Sequence, residues 1–454
     1  MDKNNEKKYH YAGAGIIIVS VVLMLFSSGG IANLSQNLGI QSTDPSLKIL
    51  STEPLTGTVQ VIIELNVVGV QAQDIFVQDI QTMGGIIDGQ IYTLDNSILT
   101  TIDASKLETL AMNPSVMRII PNTDVWFSPQ DVAVQSAYAD NRYQLLNVEP
   151  MWTQGYTGNG VVVAVVDTGI NSQLSCFQRD GKSIVIDSLQ LYGEYVMWHG
   201  TAVASCVVSQ DASRKGIAYG AQLLNVEVFK PGGAAEIWGV KKGWDWVAQW
   251  KQTHQNTPLV CVNSIGADPR SNPGATLLNA YASNMVNKYN IPMIVAAGNG
   301  GPGIVYCPGQ SADVLTVGAV DSNGLIASFS CSYGPKPDVV APGVDINMVD
   351  SSGSPRAASG TSFSTPLTAG VAALVLQAHP GYSAKQVQNA IRDSAHSVQS
   401  QSAYGEGLVD AVGAVKAAPG ISFGSSSGTP DLMFIALIGI GAVVFFIPTI
   451  RKRK

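Results

Sequence analysis

Four residues in this chain carry the side-chain types that acyl transfer needs: Asp167, His199, Asn299 and Ser362. A serine hydroxyl is a weak nucleophile until a neighbouring base takes its proton. A histidine does that near neutral pH, and a carboxylate can hold the histidine and stabilise its cation. A side-chain amide can donate to the oxygen that becomes negative during the reaction. Each residue also has an ordinary structural reading. Asp167 follows the apolar run Val161–Val166 and precedes Thr168-Gly169, where an aspartate often caps a turn. His199 opens HGTAVASCVV and is one of 5 histidines in the chain. Asn299 sits in Ala297-Gly298-Asn299-Gly300-Gly301, which alone reads as a turn. Ser362 lies in SGTSFSTPLTAGVAALVLQ and alone reads as a helix N-cap.

Residues so far apart in sequence work together only on a scaffold that gathers them. From about Gln144 to Ala418, apolar runs alternate with helix-like segments. The runs are Val161–Val166, Gln222–Phe229, Leu259–Ser264, Met293–Ala297 and Val314–Val320. Continuous apolar strands between helices predict an α/β domain whose mostly parallel sheet is covered on both faces. Working residues in such sheets gather at the carboxyl ends of the strands, where Asp167 and Asn299 fall. Ser362 precedes a long apolar segment running to about His379. A helix there would aim its free N–H groups and positive dipole end at the serine. Gly200, after His199, allows another backbone to come close. Before this region lies a smaller one. Thr58–Leu65, Ile86–Leu94, Ser97–Ile102 and Val116–Pro121 have strand character, with helical spacing in Gln71–Thr82 and Ala104–Met112. The order β-α-β-β-α-β predicts a small ferredoxin-like α+β unit.

Composition sets the wider limits. The 454 residues are 46% hydrophobic, with 46 Gly and 22 Pro, which supports a large packed core with many tight turns. A formal net charge of -7 with no basic stripe argues against nucleic acid as a partner. The 5 cysteines include no C-x-x-C pair, so a zinc site is not expected. Cys206 lies two helical turns after His199 and reads as a small buried hydrophobe. A Cys307–Cys331 disulfide is one option in an oxidising compartment. Residues 1–32 carry Lys3, Lys7 and Lys8 before the apolar run Ile16–Phe26, then Gly30 and Ala32. That is the pattern of an export signal, or of an uncleaved N-terminal anchor. Leu432–Ile450 is an uncharged apolar run followed by Arg451, Lys452, Arg453 and Lys454. A run of about 20 residues spans a bilayer, and basic flanks stay cytoplasmic. The expected order is therefore a signal or anchor (1–32), the small unit (55–125), the large domain (140–418), a Ser/Gly tether (419–430), a transmembrane helix (432–450) and a basic tail (451–454). The large domain would then sit outside the cell, anchored at its surface.

Taken in order, the segments VAVVDTGI, HGT-x-VAS, NSIG, AAGNGG, FS-x(4)-PKPDVVAPG and SGTSFSTP resemble the signature segments of the subtilisin family. The resemblance covers roughly Gln144 to Ala418. It implies a three-layer subtilisin-like fold and a serine endopeptidase acting on proteins and peptides. Carried over, Ser362 is the nucleophile, His199 the base, Asp167 its orienting carboxylate, and Asn299 an oxyanion donor. Asn263-Ser264-Ile265-Gly266 looks like one wall of the pocket for the residue before the scissile bond. Gly232, Gly233 and the residues to Ala235 look like a strand that pairs with substrate backbone. Ile265, Ile304 and Val305 point to an apolar pocket. The small unit looks like the family's inhibitory propeptide, self-cleaved between Asn122 and Asp140. No cofactor is implied for the chemistry. Structural calcium is common in the family, but no acidic loop here marks a site. Ala202 and Leu367 stand where the family often has histidines, neither of them in the catalytic set. Two other readings remain: a sedolisin-like acid peptidase and an inactive surface-binding protein on the same scaffold. The first uses Glu and Asp where this chain has His199 and Asn299. The second is opposed by the completeness of the set.

Overall fold

Successive side chains of a strand point to opposite faces, and β1 (Thr58–Leu65) is buried on both from Val61 onward. Around it form α1 (Val70–Thr82), β2 (Ile86–Ile91), β3 (Ser97–Asp103), α2 (Leu107–Met112) and β4 (Val116–Pro121). The strands make one antiparallel sheet in the order β2-β3-β1-β4. This is the expected β-α-β-β-α-β unit. Val61 and Ile63 pack with Phe76 and Ile80 of α1 and Leu110 of α2. Ile62, Leu99 and Ile120 leave by the other face and join the core of the large domain. A three-residue strand, β5 (Asp124–Trp126), follows.

The computed structural model describes residues 48–51, 54–67, 69–126, 141–193, 197–397 and 404–417. The export segment, the tether, the Leu432–Ile450 run, the basic tail and residues 127–140 of the expected cleavage range lie outside them.

The large domain is built on seven strands: β6 (Val162–Asp167), β7 (Val185–Gln190), β8 (Gln222–Glu227), β10 (Leu259–Asn263), β11 (Met293–Ala296), β12 (Leu315–Val320) and β13 (Val339–Pro342). The short β9 (Ala234–Glu236) lies outside this sheet. The order is β13-β12-β11-β10-β6-β8-β7, with every pairing parallel. Two edge strands, β7 and β13, went unanticipated in the sequence. β7 is mostly exposed and polar, and β13 is short and ends in Pro342, so neither carries the buried-strand pattern. In β6, Val163 and Val165 face α3 (Trp198–Val208) and α6 (Thr361–Ala378). Val162, Ala164 and Val166 face α4 (Ile237–Thr253) and α5 (Leu277–Asn287). The result is the expected three-layer arrangement. The chain crosses from β8 on one side of β6 to β10 on the other, which opens a crevice at their carboxyl ends.

All 5 cysteines are buried and none is in a disulfide, so the Cys307–Cys331 bridge does not form. Each thiol is engaged separately: Cys331 Sγ accepts the Gly300 N–H at 3.1 Å, and Cys307 Sγ donates to Gln310 Oε1 at 3.3 Å.

The small unit lies on α4. Lys241, fully buried, reaches Glu64 Oε1 at 3.2 Å, Asp95 Oδ2 at 2.5 Å and Ser97 Oγ at 2.5 Å. Its ammonium also stands 4.1 Å above the ring of Tyr281. Asp245 Oδ1 accepts the Leu94 N–H at 2.9 Å. The first turn of α4 has no cap of its own; Asn122 Oδ1 accepts the Trp238 N–H at 3.1 Å, and Thr123 O accepts that of Ile237 at 3.2 Å. Helix ends need such partners, and here the small unit supplies them.

Candidate active site

Asp167 is the last residue of β6, and His199 the second residue of α3. His199 Nδ1 and Asp167 Oδ1 are 2.8 Å apart, both side chains buried. Asp167 Oδ1 also accepts the Thr168 N–H at 2.7 Å. Thr168 Oγ1 accepts the Gly200 N–H at 2.9 Å, which ties the start of α3 to the end of β6. A Cβ on Gly200 would stand 2.5 Å from Gly169 O, so only glycine permits this approach. His199 Nε2 is buried and has no hydrogen-bond partner. It is the nitrogen left to meet a nucleophile.

Ser362 is the second residue of α6, where backbone N–H groups have no partner inside the helix. Its hydroxyl donates to Ser264 O at 3.0 Å, and Ser264 Oγ donates to Ser362 O at 2.8 Å. Pro366 explains the second bond. Proline has no N–H, so the carbonyl four residues earlier, that of Ser362, loses its helical donor. The Ser264 hydroxyl takes that place. The serine hydroxyl therefore rests against the wall of the cleft.

Asn299 follows β11 by three residues. Its Oδ1 accepts from Thr361 N and Thr361 Oγ1, each at 2.9 Å. That fixes the amide and leaves Nδ2 as the free donor, 3.2 Å from where a Cβ on Gly360 would stand. Thr361, which the sequence reading passed over, thus sets the direction of Asn299. Its one signal was its place in SGTS.

His199, Ser362, Asn299 and Thr361 border one cavity of about 440 Å³. Gly232, Gly233, Ser264 and Gly266 line it too. Two residues of the expected pocket wall do not present side chains to it. Asn263 accepts the Trp244 indole N–H at 2.6 Å inside the sheet core, and Ile265 packs in the cluster under α4 and α5. Strand alternation turns Asn263 and Ile265 inward and Ser264 and Gly266 toward the cleft. Ile265, Ile304 and Val305, expected to form an apolar pocket, do not line this cavity. Asp268, Ser271 and Tyr306 line that end instead. The expected substrate-pairing strand is already paired: β9 runs antiparallel to β5, Ala234 opposite Trp126 and Glu236 opposite Asp124.

The other described histidines have structural partners. His254 stacks on Trp250, His379 Nε2 bonds Val415 O, and His396 pairs with Asp410. Among the described residues, no three or more His, Cys, Asp or Glu side chains gather as a metal site. Burial raises the Glu227 carboxyl above its ordinary value, against the backbone N–H groups of Tyr192, Leu191 and Phe229. Glu227 pairs in register with Asp167 on the neighbouring strand and anchors the loop before His199 through the Tyr192 N–H at 3.0 Å.

The sequence profile of the subtilase family matches residues 158–414. The chain is 32% identical over 317 residues to an alkaline protease of Alkalihalobacillus alcalophilus, covering 68% of this chain and 77% of that protein. It is 34% identical over 265 residues to subtilisin Savinase of Lederbergia lenta, covering 58% and 93% of the two. It is 34% identical over 309 residues to a thermostable alkaline protease of Halalkalibacterium halodurans, covering 67% and 79%.

Proposed function

The chain belongs to the subtilase family and is a serine endopeptidase, and from that premise we propose that it is a self-processed, exported enzyme held at a membrane. The observation that carries the catalytic assignment is the 2.8 Å contact of His199 with Asp167 beside Ser362 and Asn299 on one cavity. In the proposed reaction, Ser362 Oγ attacks the scissile carbonyl carbon while His199 Nε2 takes its proton. Asp167 holds the ring and stabilises its cation. Asn299 Nδ2 and the Ser362 N–H receive the negative oxygen. His199 then protonates the departing amine, the C–N bond breaks, and an acyl-enzyme remains. Water, activated by the same histidine, releases the acid and restores Ser362. The backbones of Gly232, Gly233 and Ser264–Gly266 would bind the substrate as an added strand.

The small unit is assigned as an inhibitory propeptide. The pairing of β5 with β9, next to Gly232 and Gly233, supports this, because it brings the tail of that unit to the cavity rim. The Leu432–Ile450 run and the basic residues after it support the anchor. The test is expression of the full chain beside its Ser362→Ala form. The unaltered chain is expected to shed a fragment ending between Asn122 and Asp140, and to react with a serine-directed fluorophosphonate. The variant should stay whole and unlabelled. A folded, unaltered chain that neither matures nor labels would refute the reading.

A further inference from the structure

We propose that Tyr306 closes the slot that receives the side chain before the scissile bond, so that this enzyme cleaves after small residues: alanine, glycine and serine. The proposal rests on the active-site reading above and gives it a substrate class. β10 and β11 are adjacent and parallel, with Asn263 opposite Val295. Beyond them the chain opens into two walls, Ser264–Gly266 on one side and Ala297–Gly298 on the other. The slot between them starts at the chemistry: Ser362 Oγ touches Ser264 O at 3.0 Å, and Asn299 follows Gly298 directly. Its floor is the segment Tyr306-Cys307, bonded to both walls. The Tyr306 N–H donates to Ala297 O at 2.9 Å, and Ala267 and Cys307 exchange two bonds of 2.9 Å each.

From this floor the Tyr306 ring rises into the slot. A Cβ placed on Gly298 would lie 2.5, 2.7 and 2.9 Å from ring atoms Cγ, Cδ2 and Cδ1. One on Gly266 would lie 3.1 Å from Tyr306 Cβ and 3.7 Å from Cδ2. One on Gly300 would lie 2.9 Å from the hydroxyl. The ring thus covers the open faces of both walls. Ala297, Ile304 and Cys331 pack behind it and hold it there. The space a large side chain would fill is taken. Asp268, at the same end of the cavity, does not offer a free anion to a basic residue either. Arg270 Nε contacts Asp268 Oδ1 and Oδ2 at 3.0 and 3.1 Å, and Nη2 contacts Oδ2 at 2.6 Å.

The test uses the full chain, allowed to mature, and peptides identical except for alanine, serine, leucine, phenylalanine or lysine before the scissile bond. Active sites are counted with a fluorophosphonate. Size exclusion by a hydrophobic pocket discriminates by roughly 10–200-fold per group. The expected kcat/KM for alanine therefore exceeds that for phenylalanine by about 100-fold or more. Tyr306→Gly should raise the phenylalanine-to-alanine ratio by about 50-fold or more, and Tyr306→Phe, which keeps the ring, should not. Equal cleavage after phenylalanine and alanine by the unaltered enzyme would overturn the proposal even if no variant folds. So would a ratio that Tyr306→Gly leaves unmoved. A chain that labels but shows either result keeps its protease assignment and loses only this specificity. A folded chain that neither labels nor cleaves any peptide fails at the earlier reading, and the proposal falls with it.

Discussion

Replacing Lys241 by methionine should loosen the small unit from α4 far more than the loss of one surface charge would. Methionine keeps the aliphatic stem and removes the ammonium. Glu64 and Asp95, and the hydroxyl of Ser97, then lose their shared partner. Burial pushes Glu64 up, but Arg118 and Lys241 outweigh it and hold its carboxyl below its ordinary value. For Asp95, burial wins over Lys241, and with Glu64 nearby its carboxyl sits above the ordinary range. Asp95 pairs with this cation, and Glu64 shares it with Arg118. Removing one partner of a buried pair costs about 3–5 kcal/mol, because the other charge is stranded. That is about two to three and a half orders of magnitude in the docking equilibrium. Replacing Lys241 together with both carboxylates is milder, and leaves only Arg118, which reaches solvent in part. Lys241→Met with Glu64→Gln and Asp95→Asn should recover at least half of the loss. The assay is urea unfolding in a Ser362→Ala background, so that no cleavage intervenes. Trp238, packed where a Cβ on Gly89 would stand 2.7 Å from its ring, gives a fluorescence signal for undocking. A single substitution that costs less than about 1 kcal/mol, or a triple no better than the single, would refute the role given to this cluster.

Asp167→Asn should fold normally and lower kcat by about 10⁴-fold, as loss of the orienting carboxylate does in serine proteases, measured by peptide hydrolysis. Asn299→Ala should lower kcat by about 10²–10³-fold with little change in KM, the loss known for the oxyanion asparagine of subtilisin, a member of the same family. Glu227 is held above its ordinary value, so the folded state binds its proton more tightly than the unfolded state. Its contribution to stability is therefore greatest in acid and is lost as pH rises through the folded value. In the Ser362→Ala background, Tm measured across that window should fall less with pH once Glu227→Gln removes the titration. Burial pushes the Cys261 and Cys307 thiols up to about 12 and those of Cys176 and Cys331 up to about 11. A thiol reagent at pH 8 should find no reactive cysteine in the native chain and 5 in the unfolded one.

The positions of the candidate residues were legible because each sits near a strand end or helix start that its own neighbours announce. VAVV before Asp167 and the long apolar segment after Ser362 are local patterns. The small unit was legible for the same reason. What escaped was decided by contacts between distant segments. Tyr306 carries no motif; it matters because two walls some forty and eight residues earlier, around Gly266 and Gly298, leave their glycine faces to its ring. The inward turn of Asn263 and Ile265 follows from where β10 ends, a boundary that sequence places only to within a residue or two. Lys241 carried no signal in the sequence. Its partners Glu64 and Asp95 belong to another unit, so nothing in α4 foretold its burial.

The reciprocal bonds between Ser264 and Ser362, together with Pro366, have a mechanical consequence. A helix that lacks one internal bond has a soft joint at that turn, and here the joint is filled by a hydroxyl from the opposite wall of the cleft. Ser362 and that wall are therefore tied at two points, by one bond in each direction. A substrate bound along Ser264–Gly266, as proposed above, would be held by the same hydrogen-bonded unit that carries Ser362 Oγ. Alignment would then follow from that shared bonding, without requiring that the rest of the cleft be stiff.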